Sequence, residues 1–192
     1  AKKVGYFRPV ISDPESGARD EHIETFLSYF NIDMGYDDAF VFTRSQVERL
    51  INQGKSDQVI SRIISHYKAL EEKFDYILVD GSDFYPEGSI VEFELNLEIA
   101  RNLGIPTVLV EAQNELSEEE LVTNVSIIYK EFSEKDVDVI AVVANKTSEN
   151  TKKIREDISI AIEDDAVLTA AIPSNKRLDC PTIDEIRRAI GA

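Results

Sequence analysis

The sequence predicts an α/β protein, a mainly parallel sheet with helices on both faces. Three observations predict it. Short β-branched apolar runs alternate with amphipathic stretches along the chain. The runs are continuous rather than alternating, as in strands buried on both faces. The connections between them are short and contain no Pro/Gly/Ser-rich linker. A length of 192 residues, 43% of them hydrophobic, suits a single α/β domain spanning 1–192 with a real core.

The elements follow in order. Val4–Val10 is the first apolar run, and the polar, turn-rich stretch Ile11–Gly17 reads as a loop. Ile23, Phe26, Leu27 and Phe30 then fall at helical spacing. Val47–Asn52 is amphipathic, and Val59, Ile63 and Tyr67 repeat the helical pattern beside Ile60 and Ile64. Strands are predicted at Tyr76–Val79, Pro106–Val110, Val137–Ala144 and Val167–Ile172. Leu121, Val125, Ile128 and Phe132 mark a helix that Ser117 and Glu120 open as a capping box. Thr182 and Glu185 repeat the device before Ile183, Ile186 and Ile190, with Gly191 placed as a C-terminal cap.

Charge and cysteine content narrow the function classes. The 21 Lys and Arg against 37 Asp and Glu give a net charge of −16, which repels phosphates at long range. Nucleic acid and anionic membrane are therefore not expected partners. No apolar run approaches the roughly 20 residues of a bilayer span, and the opening Ala1-Lys2-Lys3 does not lead into a signal-peptide core. With Cys180 as the single cysteine, an intrachain disulfide is excluded, and a reducing cytoplasm is the expected compartment.

Most catalytic patterns are missing. Gly54-Lys55-Ser56 ends like a phosphate-binding loop, but Arg49 occupies the place of the partner glycine and the preceding segment reads as a helix. The fragment is expected to be a turn between helices, with Gly54 closing one and Lys55 or Ser56 opening the next. There is no G-x-G-x-x-G and no G-x-S-x-G. His22 and His66 belong to no metal motif and read as surface or boundary residues. Cys180 reads as a half-buried thiol in a loop. Glu118–Glu120 and Glu163–Asp165 read as solvated helix turns.

Two strand ends carry candidate chemistry. Tyr76–Val79 runs into Asp80 and Gly81 at the carboxyl edge of a strand, where open parallel sheets bind ligands. Asp80 resembles the carboxylate that holds magnesium through water; equally, it reads as a turn-capping residue beside a permissive glycine. Val142–Ala144 ends in Asn145 and Lys146. The Asn145 amide can donate to and accept from a purine edge at once, although a strand-ending Asn in a turn is the favoured reading.

Taken in order, these residues resemble a known family. Lys3–Val10, Phe74–Gly81, Asn96–Pro106, Val143–Lys146, Ala171–Pro173 and Pro181–Ile186 match, in sequence and spacing, motifs of the dethiobiotin-synthetase-like branch of P-loop proteins. The combination, with its closing Pro181-Thr182 and Glu185-Ile186 followed by Gly191-Ala192, most resembles the N-terminal domain of the phosphate acetyltransferase family.

The resemblance implies a P-loop NTPase-like fold lacking the first strand and P-loop, since the matched region begins at the second strand. It implies a regulatory and assembly part of an enzyme that transfers acetyl between coenzyme A and phosphate, with no catalytic residue of its own. The carried-over cofactor positions are Asp80, Gly81, Asn145, Lys146 and Pro173, with Asp80 also the metal position. No cofactor is certain; a nucleotide with magnesium is the candidate, and the missing phosphate cradle and the net charge of −16 argue against its binding unaided. Implied partners are other domains of the same enzyme, further copies of itself and a small-molecule effector. The alternatives are an ATP- and magnesium-dependent ligase of the dethiobiotin type and a ligand-free interaction module. The chain is expected to be a piece of a longer one, with an apolar gap or exposed strand edge that favours self-association.

Overall fold

The computed structural model describes residues 2–14, 18–82, 89–175 and 187. They belong to two compact units, Ala1–Gly104 and Ile105–Ala192. Cys180, the Thr182–Glu185 capping box, Gly191 and the motif at Pro181–Ile186 lie outside the described residues.

In the N-terminal unit, β1 (Val4–Phe7) pairs in parallel with β4 (Tyr76–Val79), with Tyr6 opposite Leu78 and Phe7 opposite Val79. The predicted single run Val4–Val10 is in fact two strands. Arg8 and Pro9 interrupt it: the Arg8 amide donates to Ala39 O, and Pro9 O accepts from Val41 and Phe42. Proline has no amide to continue a ladder. The chain therefore moves to β2 (Val10–Ile11), which pairs in parallel with β3 (Phe42–Thr43).

Helices lie on both sides of the β1–β4 pair. On one side, α1 (Glu21–Tyr29) packs Ile23 against the buried Tyr6, and Phe26 stacks on the Tyr6 ring with centroids 4.4 Å apart. On the other, Phe7 joins Val47 of α2 (Arg44–Asn52), Val59, Ile63 and Leu70 of α3 (Ser56–Glu71), and Leu95 and Ile99 of α4 (Ser89–Leu103). Gly54, at φ +69°, turns the chain between α2 and α3, the role expected of the Gly54-Lys55-Ser56 fragment.

The C-terminal unit is a three-stranded parallel sheet in the order β5 (Thr107–Ala112), β6 (Val139–Thr147), β7 (Leu168–Pro173). Two helices, α5 (Glu118–Glu134) and α6 (Thr151–Ile162), pack against each other and against the strands. Leu121, Val125 and Phe132 of the first and Ile154, Ile158 and Ile162 of the second are buried with Val142 and Ala144. The Ser117–Glu120 capping box forms as expected, with both reciprocal hydrogen bonds present.

The strands are not all buried on both faces. Val108, Val110, Leu168 and Ile172 are exposed, Leu168 at 73% and Val110 at 60%, although they stand in continuous apolar runs. The register sets Val108 beside Ala141, Val110 beside Val143 and Leu168 beside Ala141, so these side chains share one face of the sheet. A continuous apolar run thus marks a strand with two apolar faces, only one of which is covered in this unit. In the N-terminal unit Val4, Tyr76 and Leu78 form a similar exposed surface beside Tyr6.

Candidate functional site

Asp80 stands at the carboxyl end of β4, and its surroundings are built by three chain segments. Its Oδ2 accepts from Tyr6 Oη at 2.6 Å and from Arg8 Nη1 at 2.7 Å. Arg8 also donates to Gly81 O at 3.1 Å, and its Nε lies 3.6 Å from Asp20 Oδ2. His22 Nδ1 approaches the same Asp80 oxygen to 3.9 Å. Asp20 is the N-cap of α1, accepting from Ile23 N at 3.0 Å. Arg8 therefore ties together the end of β1, the start of α1 and the loop after β4.

The guanidinium is 2% exposed, whereas Asp80 keeps 34% of its side-chain surface open. A buried cation is tolerable only when it is paired and hydrogen-bonded; here Asp80 pairs with Nη1 and accepts its hydrogen bond, and Asp20 adds a second negative charge beside Nε. Burial, reinforced by the hydrogen bond to the Asp80 carboxylate, pushes the Tyr6 phenol well above its usual range. Tyr6 is accordingly a fixed donor to Asp80, not a group that titrates near neutrality.

Gly81 and Ser82 continue the loop. Ser82 N donates to Asn96 Oδ1 at 3.0 Å, and Asn96 Nδ2 donates to Ser82 O at 3.0 Å, so one amide on α4 grips both polar groups of one peptide residue. A Cβ added at Gly81 would stand 3.2 Å from Asn96 Nδ2. Gly81 does not take the left-handed φ expected of a permissive turn glycine, and its role is one of space against Asn96.

Asn145, Lys146 and Pro173 gather at the carboxyl edge of the C-terminal unit. Register pairs Asn145 with Ala112 and Thr147 with Pro173. Asn145 Oδ1 accepts from the Lys146 amide at 2.9 Å, and Lys146 adopts a left-handed φ of +51°. The sequence favoured a strand ending at Asn145 in a turn, but β6 runs on to Thr147, and the left-handed Lys146 marks an irregularity in its register with β7. The edge is further knit by Gln113, whose Oε1 accepts from Ser148 N at 2.8 Å, and by Glu118, which accepts from Ser148 Oγ and Asn150 Nδ2. Those bonds hold the Glu118 carboxyl below its usual range.

Sequence reasoning missed Arg8, Asp20, His22 and Asn96 as members of the Asp80 group. The available signal was an arginine inside an otherwise apolar run, since a charge there requires a buried partner. For a metal, the donor set is thin. Among the described residues, no group of three or more His, Cys, Asp or Glu side chains is placed to hold an ion. Arg8 already brings positive charge to Asp80, so a directly ligated magnesium ion does not fit; one held through water would share Asp80 with Arg8.

Parallel strands flanked by helices, with an acidic residue and an amide at their carboxyl ends, define a P-loop NTPase-like α/β class. The chain belongs to the AAA domain family, whose model matches residues 1–182. It is 30% identical over 196 residues to a phosphate acetyltransferase of Nitratidesulfovibrio vulgaris, covering 100% of this chain and 28% of the relative. It is 28% identical over 191 residues to the phosphate acetyltransferase of a Synechocystis species, covering 99% of this chain and 27% of the relative. That of Pseudomonas putida is 26% identical over 197 residues, with coverages of 99% and 28%. The chain thus spans little more than a quarter of the length of these curated relatives.

Proposed function

We propose that this chain is an N-terminal regulatory and assembly domain of a phosphate acetyltransferase, and that it does not itself transfer acetyl between coenzyme A and phosphate. The observation that carries the reading is one of coverage: the whole chain matches, but it accounts for only 27–28% of relatives that bear that name. The geometry agrees with a role outside the chemistry. Asp80, the carboxylate best placed at a strand end, is held by Tyr6 and Arg8. Catalysis of acyl transfer needs donors aimed at developing charge, or an activated nucleophile with its base. Among the described residues the paired polar groups serve loops and caps instead.

The open apolar face of Val108, Val110, Leu168 and Ile172 supports the assembly part of the reading. Contiguous apolar surface of this kind marks an interaction site, and its occupant is the remainder of the same enzyme. A small effector would act at a strand end, either at Asp80–Ser82 of the N-terminal unit or at Asn145–Lys146 of the C-terminal unit; magnesium-bound nucleotide is the first candidate to test.

The test is made in the intact enzyme. Removing residues 1–192 leaves acetyl-phosphate formation running but abolishes effector response or changes the assembly state. Loss of the chemical step itself, in a variant that still folds, contradicts the proposal. Calorimetric titration with magnesium-ATP then separates a nucleotide-sensing domain from a pure interaction module.

A further inference from the structure

The Asp80–Gly81–Ser82 loop is anchored at every residue. Asp80 is fixed through its carboxylate, and its amide donates to Phe7 O at 2.8 Å; Gly81 O accepts from Arg8. Ser82 depends on Asn96 for both its N–H and its C=O. Asn96 itself sits between Leu95 and Leu97, both buried, so α4 cannot turn it away without exposing apolar side chains.

A side-chain amide carries its donor and its acceptor on separate atoms of one planar group, which matches the C=O and N–H of a single backbone residue. Aspartate offers acceptors alone, and leucine offers neither. We infer that Asn96 is a positioning residue: its amide clamp sets the geometry of the loop that presents Asp80. The role of that loop in ligand response rests on the functional reading above, whereas the clamp does not.

The test is amide hydrogen exchange, read by NMR on the protein without ligand. In Asn96→Leu, Ser82 exchange should rise about tenfold, the scale of one to two lost hydrogen bonds at about 1 kcal/mol each. The amides of Ile77 on β4 and of Leu97 and Ile99 on α4 should keep their protection. Asn96→Asp retains the acceptor for Ser82 N–H and should give a smaller increase. Unchanged Ser82 exchange in Asn96→Leu overturns the inference. So does a uniform loss of protection along α4, which would make Asn96 a helix-stability residue only.

A second variant guards against misfolding of the first. Gly81→Ala pushes a methyl against the Asn96 amide and should speed Ser82 exchange, and Asn96→Ser in the same chain should leave Gly81→Ala with no further effect. Additive effects of the two changes count against the clamp. Because exchange at Ser82 needs no ligand, a failure of magnesium-ATP to bind would sink the effector reading and leave the clamp standing.

Discussion

Arg8 Nη1 meets Asp80 Oδ2 at 2.7 Å, a pairing between a residue interrupting the first apolar run and one ending the fourth strand. The same guanidinium reaches toward Asp20 at the head of α1. Three chain segments, the last 72 residues from Arg8, are thereby fixed around a cation that is almost wholly withdrawn from water.

Removing that cation strands two carboxylates. Arg8→Met should cost about 3–5 kcal/mol, the range seen when one partner of a buried pair is deleted. Asp80→Asn should cost less, because Arg8 keeps Asp20 and Asp80 is a third open to solvent. Urea denaturation measures both, and the expected order is Arg8→Met well above Asp80→Asn.

Gly5 faces the Phe74 ring so closely that an added Cβ would lie 2.9 Å from Cγ and Cδ2. Gly5→Ala should therefore destabilise by about 1–3 kcal/mol, as overpacked cores do. Combining it with Phe74→Leu should recover part of the loss, measured by thermal unfolding.

Glu111 on β5 is half-buried, and burial raises its carboxyl above the ordinary value of 4.5. With the folded pKa above the unfolded one, its contribution favours the fold below the unfolded pKa. That contribution is lost as pH rises through the folded pKa. Glu111→Gln should thus leave stability unchanged near pH 3 and raise it at neutral pH. A stability–pH curve of the two proteins that diverges in the opposite sense would refute the assignment.

The capping box at α5 makes a local prediction. Ser117 Oγ accepts from Glu120 N at 3.2 Å, and the Glu120 carboxylate, which accepts from Ser117 N, is held below its usual range. Ser117→Ala should cost about 1 kcal/mol. Because the folded Glu120 pKa is depressed, the box's carboxylate contribution should fade as pH drops through that lowered value. Denaturant titrations at neutral and acid pH check both.

Much of this architecture was legible in the sequence. The strand Tyr76–Val79, the Ser117–Glu120 box and the turn at Gly54 depend on residues within a few positions of one another, and they appear where spacing placed them. What escaped was long-range. Nothing local marks Asn96 as the partner of Ser82, 14 residues away, or brings Arg8 to Asp80, 72 residues away. Continuous apolar runs such as Pro106–Val110 predict burial on two faces, but such a run records what a face is made of, not whether a helix covers it. His22 looked like an ordinary surface histidine because its approach to Asp80 exists only once α1 is docked.

The central claim is that this domain serves a phosphate acetyltransferase without performing its chemistry. The most direct measurement is acetyl-phosphate formation from acetyl-coenzyme A and phosphate by the chain alone. The account predicts a rate indistinguishable from that without protein. Sustained turnover that scales with protein concentration and is lost in Asp80→Asn would contradict it.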